Sequence, residues 1–188
     1  MPRLILLNGP PASGKSSLAR RYIGDHPLAL GLDIDVVRSL FGGWLDRAEA
    51  AGFAARALAL EMARTHLGAG HDVVVPQFLA RPQLAEQLES LAHEVQSTFV
   101  EIVLDLDPEQ MLERFTRRTV EGERIEHRDA ADLLGRGDGV RELLDMRERM
   151  LAMLAGRPRA QWVTSREGDL EGTYRAFLIL VDAASARS

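Results

Sequence analysis

The segment Gly9–Ser16 constrains this chain more than any other feature. It reads G-P-P-A-S-G-K-S, follows the apolar run Leu4–Leu7 and precedes a stretch of helical character, Ser16–Ile23. The pattern G-x-x-x-x-G-K-S between a strand and a helix predicts a loop whose backbone N–H groups and helix N-terminus hold phosphate groups. A glycine-rich turn without a ligand is the alternative, and the combination of motif and context argues against it.

Each fixed residue of that motif has a physical reason. Gly9 and Gly14 allow the backbone to turn tightly and to approach the phosphates. Lys15 is expected to reach the β- and γ-phosphates, and the Ser16 hydroxyl to bind Mg²⁺. The predicted nucleotide-binding residues are therefore Gly9, Ala12, Ser13, Gly14, Lys15, Ser16 and Ser17.

The basic residues of the chain support a special role for Lys15. It is the single lysine among 23 lysines and arginines. Because an ammonium group and a guanidinium group are not interchangeable, the one lysine marks a position where a compact point charge is needed. The chain also has one asparagine, Asn8, so it lacks the N-K-x-D motif of guanine-specific proteins, and ATP is favoured over GTP.

Length and composition limit the remaining possibilities. A chain of 188 residues with 46% hydrophobic residues predicts one globular domain, residues 1–188. No stretch is long and apolar enough to span a membrane, and the absence of cysteine excludes disulfides and thiolate chemistry, so a cytoplasmic protein is expected. A net charge of −5 argues against broad, sequence-independent nucleic-acid binding.

The order of predicted elements is that of an α/β protein. Five strands alternate with helices, which predicts a five-stranded parallel sheet with helices on both faces, a three-layer architecture. The strands are expected at Leu4–Leu7, Leu28–Ile34, His71–Leu79, Thr98–Leu106 and Ala160–Thr164. Helices are expected at Ser16–Ile23, Phe53–Leu67, Pro82–Val95, Asp107–Thr119, Val140–Leu154 and Leu170–Ala184. Ligands of such sheets bind beyond the carboxyl ends of the strands, which includes residues 164–168 as a positional candidate for the adenine contact.

Two acidic residues end the second predicted strand. Asp33 and Asp35 flank Ile34, and at strand spacing both carboxylates share one face while Ile34 points into the core. Phosphoryl transfer needs a metal and a group that orients or deprotonates the attacking hydroxyl, and two adjacent acids can divide these tasks. The alternative is that one or both cap a helix beginning at Val36.

At this point the sequence resembles a family. The loop G-P-P-A-S-G-K-S followed by D-I-D-V-V-R is similar to the small P-loop kinases that include shikimate and gluconate kinases, chloramphenicol phosphotransferase-like proteins, zeta-type toxins and the kinase domain of polynucleotide kinase. The resemblance implies a P-loop NTPase fold that uses ATP and Mg²⁺. It implies that Asp35 is the general base, that Asp33 supports the metal through water, and that Arg38 contacts the acceptor. No strand is predicted to end in the usual metal-supporting acid, since the third reads Val75-Pro76-Gln77, which leaves Asp33 as the substitute.

A charged segment is expected to act as a lid. Residues 121–139 are rich in charged residues and glycine, and the helix before them carries Arg114, Arg117 and Arg118, which can project from one face. In the family that the sequence resembles, lid arginines clamp the phosphates, so residues 114–139 form the candidate lid. Arg114 and Arg118 are the clamp candidates, with Arg124 and Arg128 further out. A solvated basic face is the alternative.

These expectations combine into a phosphotransferase. The predicted reaction moves the γ-phosphoryl group of Mg-ATP to an acceptor hydroxyl, of a small molecule or antibiotic in the first place. A polynucleotide 5′-hydroxyl is the second possibility, and an ATP-binding regulatory module without an acceptor is the third. Gln77 and an apolar wall of Phe41, Trp44 and Phe53 are further candidates for acceptor contact, although core packing is expected for the two phenylalanines. The sequence leaves the acceptor and the oligomeric state open.

Overall fold

A five-stranded parallel sheet forms the centre of the computed structural model, which describes residues 1–120 and 139–186, without the side chains of 118–120. The strands are β1 (Arg3–Asn8), β2 (Leu30–Gly31), β3 (Val73–Pro76), β4 (Thr98–Asp105) and β5 (Gln161–Thr164). They lie in the order β2-β3-β1-β4-β5, and every neighbouring pair is parallel. The predicted parallel sheet is confirmed, and β1 lies at its centre.

Helices connect the strands. In the described residues they are α1 (Lys15–Asp25), α2 (Ile34–Ser39), α3 (Ala48–Gly68), α4 (Gln83–Glu94), α5 (Pro108–Val120), α6 (Gly139–Leu154) and α7 (Leu170–Ser185). Helix α5 begins as expected, because the Asp107 carboxylate accepts a hydrogen bond from the Glu109 N–H at 2.9 Å and Pro108 occupies the first helical position. None of the helices in the described ranges has the length and hydropathy needed to cross a bilayer.

Two apolar layers cover the two faces of the sheet. Alternate residues of β1 point to opposite faces: Leu4 and Leu6 join the side chains of α3 and α4, whereas Ile5 and Leu7 join those of α1 and α7. All four of these β1 side chains are fully buried. The predicted three-layer arrangement is therefore confirmed, and β1 delivers the glycine-rich segment to the carboxyl edge of the sheet.

The second strand is much shorter than the sequence predicted. It ends at Gly31, and α2 begins at Ile34, so Asp33 and Asp35 do not lie on a strand. The reason is local: one carboxylate oxygen of Asp33 accepts a hydrogen bond from the Asp35 N–H at 3.0 Å, which makes Asp33 the N-cap of α2. Ile34 is buried, as expected, but as the first residue of a helix.

Other boundaries differ by a few residues. Helix α3 begins at Ala48 rather than at Phe53, and β3 covers only Val73–Pro76 of the predicted strand. Proline offers no N–H, so it commonly ends a strand, and Gln77 still donates its N–H to the Leu7 carbonyl at 3.0 Å. Residues 121–138 of the predicted lid lie outside the described residues, as do Arg124 and Arg128.

Candidate functional site

The glycine-rich segment is a loop between β1 and α1 at the carboxyl edge of the sheet. Ala12 and Gly14 have positive φ angles of 61° and 96°, a combination that turns successive N–H groups toward one concave side. Gly14 is the N-cap of α1, and no side chain caps that helix end. The loop therefore has the geometry of an anion-binding site at a helix N-terminus.

Gly9 occupies a position that no other residue fits. Its φ is +154°, and a Cβ atom would lie 2.7 Å from the Leu104 carbonyl oxygen and 2.8 Å from the Ser13 Oγ. The first atom is backbone of the neighbouring strand and cannot move away. Gly9 thus allows the loop to pass directly over the end of β4.

The side chain of Lys15 crosses this loop. Its Nζ donates hydrogen bonds to the carbonyl oxygens of Gly9, at 2.8 Å, and Pro10, at 2.9 Å. Both acceptors belong to the loop itself, so the ammonium group is held where the loop is concave. A phosphate oxygen that entered the loop would meet a positive charge already placed at its wall.

Asp35 and Arg38 form a pair on α2. The Arg38 Nη2 lies 3.5 Å from the Asp35 Oδ1, and the guanidinium carbon lies 5.0 Å from the centroid of the Trp44 ring. The Asp35 side chain is 37% exposed and that of Arg38 is 17% exposed. A carboxylate that solvent can reach, beside a largely buried cation, is suited to receive a hydroxyl group with a neighbouring polar or anionic substituent.

Magnesium would find oxygen ligands of the right chemistry here. Ser16 stands in the first turn of α1, and Asp33 is fixed as the cap of α2. Among the described residues no group of three or more His, Cys, Asp or Glu side chains could hold a metal by itself. A hydroxyl and a carboxylate fit an ion that takes one or two protein oxygens and completes its shell with phosphates and water.

Arg114 faces the loop after β5. It is only 9% exposed, and its Nη1 donates to the Ser165 Oγ at 3.0 Å. Ser165 in turn lies close to Gly14, whose added Cβ would stand 3.9 Å from that hydroxyl. Arg114 therefore lies beside the phosphate loop, whereas the side chain of Arg118 falls outside the described part of the chain.

Arg117, the second arginine of that helix, contacts the same loop. Its Nη1 donates to the Glu167 Oε1 at 2.7 Å, and this hydrogen bond lowers the pKa of the Glu167 carboxyl below its usual value. Both described arginines of α5 thus reach residues 165–167, the segment for which the sequence suggested an adenine contact. These contacts join α5 to the segment after β5, where the adenine base of the nucleotide is expected to bind.

An acidic strand end was missed by the sequence analysis. The fourth strand was expected to continue through Leu106, but it ends at Asp105, directly beside β1. The conclusion that no strand ends in an acid is therefore wrong. The Asp105 Oδ1 lies 3.4 Å from the Arg147 Nη2 of α6. The signal that was overlooked is an acidic residue, Asp105, directly after the apolar residues Val103 and Leu104.

The three aromatic candidates for acceptor contact, Phe41, Trp44 and Phe53, lie in different environments. Phe41 packs against the core on the α3 and α4 side, as expected. Phe53 is 62% exposed, so the expectation that it packs in the core is wrong. Trp44 is partly buried beneath Arg38. Of the predicted apolar wall, Trp44 is the member that contacts a candidate site residue.

A buried asparagine was also missed as a site residue. Asn8 is fully buried at the end of β1, and its amide contacts the loop after β3 and the N–H of Gly9. Its only sequence signal was its place immediately before the first glycine. Side-chain contacts across the sheet are not visible in a sequence.

Comparisons with known proteins agree with this fold. A crystal structure of a "putative kinase" from Chloroflexus aurantiacus J-10-fl superposes with a TM-score of 0.67 at 17% identity, covering 100% of this chain and 98% of that one. The structure of a gluconokinase from Sinorhizobium meliloti 1021 gives a TM-score of 0.61 at 18% identity, covering 98% of this chain and 95% of that one. No curated protein sequence matches the chain significantly.

The family profile gives the same result from the sequence. The AAA domain profile matches residues 4–136, which include the phosphate loop, the Asp35–Arg38 pair and α5. The resemblance to small P-loop kinases is thereby confirmed for family and fold. The chain belongs to the AAA domain family of P-loop proteins.

Proposed function

We propose that this protein transfers the γ-phosphoryl group of Mg-ATP to a hydroxyl group of a small acceptor. The observation that carries the proposal is the placement of a phosphate loop and a carboxylate–arginine pair at one edge of the sheet. β1 leads into the loop with Lys15, and β2 leads into α2 with Asp35 and Arg38. Only β3 separates these two strands, so nucleotide and acceptor would approach the same edge.

Each residue has a defined task in this proposal. Lys15 and the N-terminus of α1 bind the phosphates and stabilise the charge that develops on them. Asp35 accepts or orients the proton of the attacking hydroxyl, and Arg38 holds the acceptor. Ser16 and Asp33 would hold the metal ion, which supplies charge neutralisation on the phosphates when bound.

The arginines of α5 complete the nucleotide side. Arg114 already lies beside Ser165 and Gly14, and its Nε is buried without a hydrogen-bond partner among the described residues. A buried donor of this kind is costly unless a ligand or water meets it. We propose that Arg114 and Arg118 contact the phosphates of the nucleotide or its adenine ring.

A small polar acceptor is favoured over a polymer. The chain carries a net charge of −5, which disfavours long contacts with a nucleic-acid backbone. The similar structure of a gluconokinase makes sugar acids the first compounds to try. The arrangement of Asp35 and Arg38 and the stacking of Arg38 on Trp44 favour a polynucleotide 5′-hydroxyl as the second candidate, because aromatic rings and arginine bind single-stranded nucleic acids by stacking.

One assay separates these possibilities. Release of ADP from Mg-ATP is measured over a panel of sugar acids, polyols, aminoglycoside and chloramphenicol-type antibiotics, and oligonucleotides with a 5′-hydroxyl end. Stimulation by a small hydroxyl compound, with the matching phosphate ester found by mass spectrometry, supports the proposal. Stimulation by oligonucleotides alone would identify the polynucleotide 5′-hydroxyl, the second candidate, as the acceptor. Tight ATP binding with slow hydrolysis and no stimulated turnover favours an ATP-binding regulatory module instead.

A further inference from the structure

The only asparagine of the chain occupies the last position of the central strand. Asn8 is 0% exposed, and its backbone pairs with Val103 of β4. Its side chain points the other way, to the segment that follows β3. Asn8 therefore lies between the two neighbours of β1, immediately before the phosphate loop begins at Gly9.

The Asn8 amide pairs with the backbone N–H and C=O of a single residue, as a neighbouring strand would. Its Oδ1 accepts a hydrogen bond from the Leu79 N–H at 2.9 Å, and its Nδ2 donates to the Leu79 carbonyl oxygen at 3.3 Å. Among short side chains only an amide offers a donor and an acceptor side by side. The pairing of β1 with β3 ends at Leu7 and Pro76, and the amide extends the link between these chain segments beyond that point.

The same amide also fixes the first residue of the phosphate loop. Its Oδ1 accepts a second hydrogen bond, from the Gly9 N–H at 2.8 Å. The carbonyl of Gly9 accepts the hydrogen bond from Lys15 Nζ at 2.8 Å. Gly9 is thus held at its N–H by Asn8 and at its carbonyl by Lys15, so any rotation of Gly9 would displace the ammonium group as well.

We propose that Asn8 is the positioning residue that sets the phosphate loop for catalysis, by fixing Gly9, and with it Lys15, to the backbone of Leu79. Leu79, held in this way, follows β3, the strand between β1 and β2, so Asn8 links the phosphate loop to the side of the sheet on which the acceptor is proposed to bind. This inference rests on the proposed use of Mg-ATP. It assigns no contact between Asn8 and substrate.

The decisive variant is Asn8→Asp, studied as a function of pH. The ionised carboxylate keeps the acceptor for Leu79 and Gly9 but cannot donate to the Leu79 carbonyl, whereas the protonated acid can. Burial raises the pKa of the introduced carboxyl group, whereas the hydrogen bonds from the Leu79 and Gly9 N–H groups lower it. The ratio of variant to wild-type kcat/KM for Mg-ATP is expected to be reduced about 10- to 100-fold at pH 8.5, where the carboxyl is ionised, the size of effect that a small misplacement causes, and to recover as the pH falls through the pKa of that carboxyl.

Taking this ratio at each pH removes the titrations that both proteins share. The neighbouring segments bring Lys15, Arg81 and Asp105 to this edge of the sheet, and these groups are present in both proteins. A ratio near one at pH 8.5, where the carboxyl is ionised and cannot donate to Leu79, overturns the inference. If wild-type protein shows neither Mg-ATP turnover nor binding of a fluorescent ATP analogue, the proposed function fails rather than the role of Asn8.

Two further variants test whether a loss of activity comes from the geometry of the loop, from the introduced charge or from lost stability. Asn8→Leu has similar volume and no charge, and it is expected to be impaired equally at every pH. If Asn8→Leu behaves as wild type while Asn8→Asp is impaired, the effect is electrostatic repulsion and the inference is wrong. Val181→Ala, in the core on the α7 side, lowers thermal stability without touching the loop, and it should leave kcat/KM within about twofold.

A measurement on wild-type protein covers the case in which the variants do not fold. Hydrogen exchange by NMR, without nucleotide, should show the amides of Gly9 and Leu79 protected, although both lie outside the strands of the sheet. Exchange of both amides at the rate of an open loop would overturn the inference.

Discussion

The guanidinium group of Arg38 lies over the indole ring of Trp44, 5.0 Å from its centroid. A cation above an aromatic face is attracted by about 0.5–1 kcal/mol when exposed and by more when shielded from water. The contact helps to orient Arg38, whose Nη2 also lies 3.5 Å from the Asp35 Oδ1. In the proposed site, Trp44 would therefore support acceptor binding without carrying a reactive group.

Replacing Trp44 by leucine should weaken acceptor binding. Because a stacking energy of about 0.5–1 kcal/mol corresponds to about a 2- to 5-fold change, the KM for the acceptor found in the panel should rise by that factor, while the affinity for ATP stays the same. Trp44→Phe keeps an aromatic face and should lie between the two. An unchanged acceptor KM in Trp44→Leu would show that Arg38 is held by other contacts.

Asp35→Asn should uncouple binding from transfer. The substitution keeps size and polarity and removes the carboxylate, so kcat for the acceptor should fall by about 10²- to 10⁴-fold. Binding of ATP should hardly change, since Asp35 stands on α2 and is not part of the phosphate loop. Full transfer activity in this variant would exclude Asp35 as the base.

Asp33 allows its capping role to be separated from a metal role. Asp33→Asn keeps the N-cap, because asparagine caps helices as well as aspartate does, whereas Asp33→Ala loses about 0.5–2 kcal/mol of folding stability. If Asp33 also supports magnesium, both variants should need more Mg²⁺ for half-maximal ATP use. A normal magnesium requirement in Asp33→Asn would leave Asp33 with the cap alone.

Lys15→Ala should abolish Mg-ATP turnover in a folded protein. The Lys15 ammonium donates to the loop carbonyls of Gly9 and Pro10 and does not belong to the apolar core, so its loss should change the melting temperature little. Lys15→Arg should fail as well, because a planar guanidinium does not replace a compact ammonium at this point. Undiminished ATP turnover in Lys15→Ala would refute the assignment of the loop.

Asp72 should stabilise the fold in a pH-dependent manner. Burial alone would raise the pKa of its carboxyl, but hydrogen bonds from Tyr22 and Arg3 outweigh burial and hold the pKa below its usual value. The stabilisation is therefore complete above the ordinary aspartate pKa and is lost as the pH falls through the lowered value.

Urea unfolding of Asp72→Asn tests this directly. At pH 7 the variant should lose about 1–3 kcal/mol of unfolding free energy, and the difference from wild type should shrink below about pH 4. Asp182→Asn is the matched control, since Asp182 also pairs with Arg3 but its side chain is 73% exposed. A difference that stays constant with pH would contradict the role of the ionised carboxylate.

The sequence was sufficient for the parts of the fold that depend on periodicity. Buried runs such as Val73–Val75 and the N-cap at Asp107 depend on neighbours along the chain, and their strand and helix were predicted correctly. The phosphate loop was recognisable for the same reason. Its motif is contiguous, and its chemistry is backbone chemistry that glycine permits.

The rest depends on contacts between distant residues. Asp33 is an exception, because a local contact makes it a helix cap: its carboxylate accepts a hydrogen bond from the Asp35 N–H, in competition with strand pairing. The role of Asn8 requires Leu79, and that of Arg114 requires Ser165, each far away along the chain. Such pairs become visible only when the sheet has brought the segments together.

The position of Lys15 has a practical consequence for labelling chemistry. Lys15 is the one lysine of the chain, and the other members of the lysine–arginine class are arginines. Reagents that acylate primary amines therefore have one side-chain target in this protein, and it lies inside the phosphate loop. A single mass increment on the peptide that contains residue 15 then reports whether the loop is open to reagent. If bound nucleotide protects that amine from the reagent, the extent of labelling measures the fraction of protein whose phosphate loop is occupied, without any engineered probe.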